Sequence, residues 1–457
     1  MARTLSAVAH ETRGQLIGDD AAFGAVGIDT RRLESGALFV AIAGERFDGN
    51  DFLPDAHAKG AAGALVSRPA GVALPQVRVA DTRQAFGQMA RAWRANFSLP
   101  VIAVTGSNGK TTVKALAASI LASGGRVCVT QGNLNNDLGV PLTLMGLSAT
   151  HEALVIELGA NHPGEIDYLS GLVRPTVGVI TNANAAHRAG VGSGAGVAAA
   201  KGELRDHLPG DGTAVINADD AHCAQWRARS RADTVLSFGL SARADCTVTG
   251  AIAAQPAGSQ FTLRLPDGET GEVRLPLPGR HNVLNALAAA AAAHALGASA
   301  EQIRRGLGRA QPVKGRLNVL AGRGGAAIID DSYNANPESA RAALDYLRGR
   351  GGRRIFVLGD MAELGETGPG LHRELGEYAR DCCDALFAVG NLSRHAAESF
   401  GVRGRFFREL AALEQALEPL LAADTTVLLK GSRVMALDRL AERLGTGRPA
   451  AGEAAAC

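Results

Sequence analysis

One stretch of the 457-residue chain has the composition of an anion cradle: Val101-Ile102-Ala103-Val104-Thr105-Gly106-Ser107-Asn108-Gly109-Lys110-Thr111-Thr112. An apolar strand runs into a glycine-rich turn, and Lys-Thr-Thr opens a helix. Glycines let backbone N–H groups converge on one point, and the first turn of a helix adds positive potential there. A phosphate chain is the ligand this pattern suits, with Lys110 reaching the outer phosphates and the Thr111 hydroxyl placed for Mg²⁺. The common phosphate-loop pattern, G-x-x-x-x-G-K-[ST], has glycine where this chain has Val104, so the strict pattern is not met. A glycine-rich turn with a solvated lysine is the alternative reading. The order of strand, turn, Lys-Thr and helix weighs against it.

Two further groups fall at strand ends, where open α/β sheets collect their ligands. Glu157 closes the apolar run Ala153-Leu154-Val155-Ile156, and a carboxylate there is costly to bury unless a cation meets it. His187 follows the run Val177–Thr181. Singly, Glu157 reads as a turn carboxylate and His187 as a surface histidine; together with Thr111 they make a Mg²⁺ site. Three other patterns carry no chemistry. His151-Glu152 lacks the second histidine of a zinc helix. Gly190-Val191-Gly192-Ser193-Gly194 lacks the strand and spacing of a dinucleotide turn. Cys382-Cys383 reads as a buried helical pair, since vicinal cysteines rarely bridge without strain.

The elements that must position these groups alternate as strand and helix. Apolar runs at Val101–Thr105, Val127–Thr130, Leu154–Leu158, Val177–Thr181 and Ala214–Asn217 form one βα series, and Ala327–Asp330, Ile355–Leu358, Leu386–Val389 and Val427–Leu429 form another. Between them, residues 245–278 alternate as antiparallel strands do. Ahead of the first series lies a module containing Leu38-Phe39-Val40-Ala41-Ile42. The expected fold is α/β in three domains, 1–97, 98–313 and 314–457, the middle one built on a mostly parallel sheet. The Gly/Ala-rich stretch after Gly445 is expected to fray.

Composition excludes several classes. Gly 57 without a collagen period suits many tight strand-to-helix turns. A net charge of +2 gives no electrostatic case for nucleic acid or a membrane surface. The six cysteines form no CxxC pair and fit a reducing compartment. No signal-like run opens the chain, and Leu284–Leu296 falls short of the ~20 residues that span a bilayer. A cytoplasmic monomer is the expectation.

The phosphate loop, Thr105 to Thr112, resembles that of the Mur ligase family, which accepts a non-glycine at the position of Val104. Further matches run along almost the whole chain: Asp29-Thr30-Arg31, Gly132-Asn133-Leu134-Asn135-Asn136, Glu157-Leu158-Gly159-Ala160-Asn161-His162, Ala200-Lys201-Gly202-Glu203 and Gly279-Arg280-His281-Asn282. The series continues with Gly315-Arg316, Asp330-Asp331-Ser332-Tyr333-Asn334-Ala335-Asn336-Pro337, Leu358-Gly359-Asp360-Met361-Ala362-Glu363-Leu364-Gly365 and Lys430-Gly431-Ser432-Arg433. The combination is specific, whereas the loop alone would indicate only a superfamily. It implies an N-terminal α/β UDP-binding module, a central ATPase and a C-terminal Rossmann-like domain.

The implied activity is ATP-dependent ligation of D-alanyl-D-alanine to UDP-N-acetylmuramoyl-tripeptide through an acyl phosphate, in peptidoglycan synthesis. A sister ligase adding one amino acid is the runner-up, and a nucleotide-driven switch is the alternative from another class. By resemblance, Gly106, Ser107, Asn108, Gly109, Lys110, Thr111 and Thr112 hold the ATP phosphates. Asn282 lies along the adenine, Arg316 reaches the γ-phosphate and Asp331 the ribose. Thr111 and Glu157 take one Mg²⁺, and His187 with Lys201 a second. Lys201 by itself reads as a surface lysine beginning a helix; in the family its counterpart carries CO₂ as a carbamate. Thr30 and Arg31 are expected at the UDP portion. Asn135, Asn136, Tyr333, Asn334, Asn336 and Arg433 are expected at the tripeptide or dipeptide.

Overall fold

In the computed structural model, which describes residues 3–183, 194–255 and 258–449, the strand Val101–Thr105 lies inside a six-stranded, wholly parallel sheet. The order is Thr234–Phe238, Thr213–Asn217, Val177–Ile180, Val101–Thr105, His151–Glu157, Arg126–Val129. Both faces of this sheet are covered, which is why Val101, Ile102, Ala103 and Val104 are all fully buried and the run is continuous rather than alternating. Register sets Glu157 beside Val104 and Ile180 beside Thr105. Glu157 therefore emerges next to the glycine-rich turn, as its strand-end position predicts.

The helix Lys110–Leu121 packs Val113, Leu116, Ala117 and Ile120 into this core. Beside it runs Arg280–Ala295, whose alanine-rich sequence is buried on nearly every side. Small side chains permit that close approach. The alternating segment forms a three-stranded antiparallel sheet, Thr247–Gln255, Gly258–Arg264 and Thr270–Leu275, which adds Phe261, Leu263 and Val273 to the same core.

The N-terminal module holds a five-stranded sheet in the order Gln15–Ile17, Gln76–Arg78, Gly63–Val66, Leu38–Val40, Val26–Gly27. Its last helix, Thr82–Arg94, is pinned to the central part: Trp93 Nε1 donates to Leu147 O (3.1 Å), and Arg94 Nε donates to Val173 O (2.9 Å). The C-terminal sheet has seven strands. Gly404–Phe407, Ala385–Val389, Arg353–Gly359, Thr425–Lys430 and Ala327–Asp331 run parallel, and Asn318–Gly322 and Gly445–Pro449 close the edge antiparallel. Gly445–Pro449, the first part of the stretch expected to fray, is instead a strand, since the open edge of Asn318–Gly322 offers backbone partners and this segment takes them; residues 450–457 lie outside the described residues. Cys382 and Cys383 are buried and free, but lie in the turn after the helix Gly368–Ala379 rather than within it. Among the described residues no helix is long and apolar enough to cross a membrane.

Candidate active site

The turn after Val101–Thr105 is shaped by two glycines that no other residue could replace without a clash. Gly106 (φ +140°) faces the Thr181 hydroxyl, and Gly109 (φ +84°) faces the Asn285 side chain. The neighbouring strand end grips the loop from the side. Asn182 accepts from the Ser107 N–H through its backbone carbonyl (2.9 Å) and from the Asn108 N–H through its side chain (2.9 Å). The Thr181 hydroxyl donates to Asn108 O (2.6 Å). Lys110 folds back over its own loop, donating to Gly106 O (2.7 Å) and Ser107 O (3.2 Å). These are carbonyls it can exchange for phosphate oxygens. Burial holds this ammonium below its ordinary pKa, opposed by Glu157 and reinforced by Arg316.

The loop opens into a cavity of about 840 Å³ walled from three sides. The central part supplies Ser107 to Thr111, Asn135, Asn136 and Glu157; the helix Thr82–Arg94 of the N-terminal module supplies Arg83 and Gln84; loops of the C-terminal domain contribute Arg316, Tyr333, Asn334 and Asn336. Arg83 pairs with Asp137 (2.5 Å) across the first junction. Asn336 bridges the second, caps the helix Pro337–Arg348 and donates to Asn108 Oδ1 (2.7 Å). The Arg316 guanidinium lies over the Tyr333 ring, 4.3 Å from its centroid, with its Nε buried and without a hydrogen-bond partner. Asn136 accepts from the Gly139 N–H (2.9 Å) and starts the helix Gly139–Met145.

A second cavity of about 410 Å³ adjoins the first through Asn108, Gly109 and Arg316. His281, Asn282, Asp331 and Lys430 line it. Asn282 lies inside the helix that Gly279 caps and donates to Pro278 O (2.7 Å). Asp331 is more committed than a free turn residue would be. Its Oδ1 accepts from the Leu317 N–H (3.1 Å) and its Oδ2 from Lys430 Nζ (2.6 Å).

Glu157 is 2% exposed. Its Oε1 accepts from Asn135 Nδ2 (2.7 Å), while Oε2 has no hydrogen-bond partner and faces Lys114 Nζ at 3.4 Å. A hard cation fits such an oxygen, and the Thr111 hydroxyl on the same cavity wall is a second oxygen donor of the kind Mg²⁺ takes. Among the described residues there is no preformed cluster of three His, Cys, Asp or Glu. Lys201 is buried in the helix Gly194–Gly202 and donates to Ala160 O (3.1 Å). Burial, with Lys110 nearby, pulls its ammonium down to about 7. His187 and the residues 190–193 lie outside the described residues.

Of the expected residues described, Gly106, Lys201, Thr30, Arg31 and Arg433 line neither cavity, although Gly106 shapes the phosphate loop and Lys201 lies behind the wall residue Ala160. Thr30 and Arg31 form a 3₁₀ turn, where the Arg31 fork is occupied by Asp29 (2.8 Å) and holds that carboxylate down to about 2. Arg433 pairs with Asp438 (2.8 Å) on the surface. Conversely, Lys114 and Lys430 stand at the site without having been singled out. Lys114 is signalled only by its position one turn after Lys110.

Fold and site together define a phosphate-loop α/β protein whose nucleotide cavity is closed by three domains. The chain belongs to the Mur ligase family: the family descriptions "Mur ligase family, catalytic domain", "Mur ligase middle domain" and "Mur ligase, glutamate ligase domain" match residues 23–94, 104–293 and 315–433. It is similar to the UDP-N-acetylmuramoyl-tripeptide–D-alanyl-D-alanine ligase of Escherichia coli (strain K12), with 44% identity over 96% of this chain and 98% of that one. The Bacillus subtilis ligase of the same name is 34% identical over 97% and 98%. Among solved structures, MurF from Acinetobacter baumannii superposes with a TM-score of 0.90 at 37% identity, covering 97% of this chain and 99% of that one. MurF ligase from Thermotoga maritima in complex with ADP gives 0.82 at 27%, covering 92% and 96%.

Proposed function

We infer that this chain is an ATP-dependent ligase that joins D-alanyl-D-alanine to the terminal carboxylate of UDP-N-acetylmuramoyl-tripeptide in peptidoglycan synthesis, releasing ADP and phosphate. The observation that carries this reading is the 840 Å³ cavity, in which a phosphate loop faces polar walls from two other domains. A nucleotide switch has no need of that second and third wall.

The chemistry has two steps. A substrate carboxylate oxygen attacks the γ-phosphorus and the bond to the ADP oxygen breaks, giving an acyl phosphate. The dipeptide nitrogen then attacks the carbonyl carbon, loses a proton, and phosphate leaves. Two anions meet in the first step, so fixed positive charge lowers the barrier. Lys110 and the loop N–H groups take the phosphates, and Arg316 takes the γ-phosphoryl oxygens from the opposite wall. Asn282 lies along the adenine. Asp331 serves the ribose through lone pairs left over from Lys430 and Leu317.

Thr111 and Glu157 would hold one Mg²⁺, and His187 with Lys201 a second. Bound Mg²⁺ supplies charge neutralisation between phosphate and carboxylate. For Lys201 to join it, the amine must be neutral, attack CO₂ and lose a proton, leaving an anionic carbamate. A lysine with its pKa near 7 supports this, because a substantial neutral fraction exists at neutral pH. Asn135, Asn136, Tyr333, Asn334 and Asn336 contact the peptide substrates, as does Arg433; Thr30 and Arg31 contact the UDP portion. The functional division runs 1–97, 98–313 and 314–457. The enzyme acts as a monomer, in the cytoplasm where nucleotide substrates are made.

The test is phosphate release from ATP with each acceptor alone, and with D-alanyl-D-alanine, L-lysine, glutamate or nothing added. Release that requires both UDP-N-acetylmuramoyl-tripeptide and D-alanyl-D-alanine supports the reading. Equal release without the dipeptide overturns it.

A further inference from the structure

Lys114 sits one helical turn beyond Lys110 and is only 4% exposed. Its Nζ donates to Gly132 O (3.1 Å) and lies 3.4 Å from Glu157 Oε2. Through Asn135, which donates to the other Glu157 oxygen (2.7 Å), the same carboxylate is tied to the loop that Gly132 opens. That loop is tightly set: Gly132 has φ +52°, and the Gly159 N–H donates to Asn135 O (2.8 Å). Asn133, Asn135 and Asn136 present it to the large cavity.

A buried ion pair is by itself weak evidence of a role in stability. Buried pairs of this kind are matched or exceeded in stability by apolar residues of similar volume. What the pair does provide is a carboxylate with one oxygen fixed and the other held near a cation without being consumed by a hydrogen bond. It also sets a charge balance. A divalent cation arriving at Oε2 by itself meets the Lys114 ammonium a few ångströms away, with Lys110 lining the same cavity near Glu157. Phosphate oxygens entering with the cation offset that repulsion.

We propose that Lys114 is a positioning residue for the ligation: it aims Glu157, anchors the Gly132–Asn136 loop, and keeps the carboxylate from holding a divalent cation until nucleotide phosphates share it. The inference rests on the assignment of Glu157 to Mg²⁺. Its test uses no ligation substrate, so its failure is distinguishable from failure of the ligase reading, which the phosphate-release matrix judges separately.

The experiment titrates Mn²⁺ by electron paramagnetic resonance, and Mg²⁺ by thermal melting, into the full-length chain without nucleotide. Wild type is expected to bind Mn²⁺ weakly, to melt independently of Mg²⁺, and to gain Mn²⁺ affinity when a non-hydrolysable ATP analogue is added. Lys114→Met should bind Mn²⁺ about tenfold more tightly or better, since a unit charge at this range has been removed. It should also melt lower than wild type and recover on adding Mg²⁺, a response that a purely structural lysine would not produce. The double variant Lys114→Met/Glu157→Gln should lose both gains. Unchanged or weaker Mn²⁺ binding in Lys114→Met overturns the proposal, and so does a gain that persists in the double variant. If Lys114→Met does not fold, Lys114→Gln replaces it with the same expectations and the same overturning results.

Discussion

The side chains of Asn108 and Asn336, 228 residues apart in sequence, meet at 2.7 Å, the Asn336 amide donating to Asn108 Oδ1. Asn108 belongs to the phosphate loop. Asn336 is the N-cap of the helix Pro337–Arg348, with its own Oδ1 accepting from the Ser339 N–H (2.9 Å) in a capping box. One amide thus divides its two ends between local helix stability and a bond joining the C-terminal domain to the nucleotide loop.

That division can be separated by substitution. Asn336→Asp keeps the oxygen that caps the helix, and Asp is as good a cap as Asn. It loses the N–H that reaches Asn108 Oδ1 at 2.7 Å, leaving only the long 3.5 Å acceptance from Asn108 Nδ2. The variant should melt within a degree or two of wild type, yet its KM for ATP should rise about tenfold, a change worth about 1.4 kcal/mol. Asn336→Ala loses both and should be about 1 kcal/mol less stable as well. Equal KM values in Asn336→Asp and wild type would remove the bond from any role in nucleotide binding.

What the sequence made legible follows from how local each signal is. The strand, turn and helix around Lys110 lie within a score of residues, and their anion-binding logic needs no tertiary information. Glu157 was legible for a related reason, because a carboxylate ending an apolar parallel strand must emerge beside the neighbouring strand's loop. The pair Asp331–Lys430 was not, since its two members lie 99 residues apart and are joined by the parallel register of Ala327–Asp331 with Thr425–Lys430. Lys114 was hidden for another reason: on a helix following a phosphate loop, a lysine reads as solvated unless one knows that the Gly132 loop covers it. Arg31 shows how a local signal can have a local partner. It reads as an anion ligand, yet its nearest anion is Asp29, two residues away.

Asp331 should prove structural as well as functional. Its Oδ2 is the counter-charge of Lys430 Nζ at 2.6 Å, and both side chains are largely buried. Burial alone would push Lys430 below its ordinary pKa, and Asp331 opposes that shift. Removing one partner of a buried pair costs about 3–5 kcal/mol. Asp331→Ala should lose that much in chemical denaturation, and Asp331→Ala/Lys430→Met should recover most of it. A wild-type denaturation midpoint in Asp331→Ala, with only the ATP KM altered, would restrict Asp331 to the ribose.

Lys201 makes stability depend on pH in a definite direction. Its folded pKa is about 7, against an ordinary 10.5, with burial as the leading cause and Lys110 the next. Below pH 7 both folded and unfolded states carry the proton, and the full burial penalty applies. Between pH 7 and about 10.5 the unfolded state binds more protons than the folded one, so stability rises with pH, by about 1.4 kcal/mol per unit at most for one group. In bicarbonate-free buffer, the stability of wild type relative to Lys201→Met should therefore climb from pH 7 to pH 9. The subtraction cancels groups common to both proteins. A difference that stays flat, or falls, over that range contradicts the buried, proton-poor lysine.

The carbamate makes a sharper demand. If Lys201 serves as an anion, then Lys201→Ala lacks a carboxylate rather than an amine, and a small carboxylate in solution can enter the space the side chain vacates. The site favours such a guest, because Lys110 stands close enough to lower the Lys201 pKa and would attract an anion for the same reason. Lys201→Ala should lose most of its ligase activity, and acetate or formate in the millimolar range should restore a measurable part of it. Lys110→Ala is the control. It should lose about 10²–10³ in turnover, as expected when a charge that stabilises the transferring phosphoryl group is deleted. No carboxylate should restore it, because the missing group is a cation. If acetate and formate stimulate both variants equally, the effect is one of ionic strength and the carbamate loses this support. If Lys201→Ala turns over at the wild-type rate in the absence of either, the lysine carries no catalytic anion.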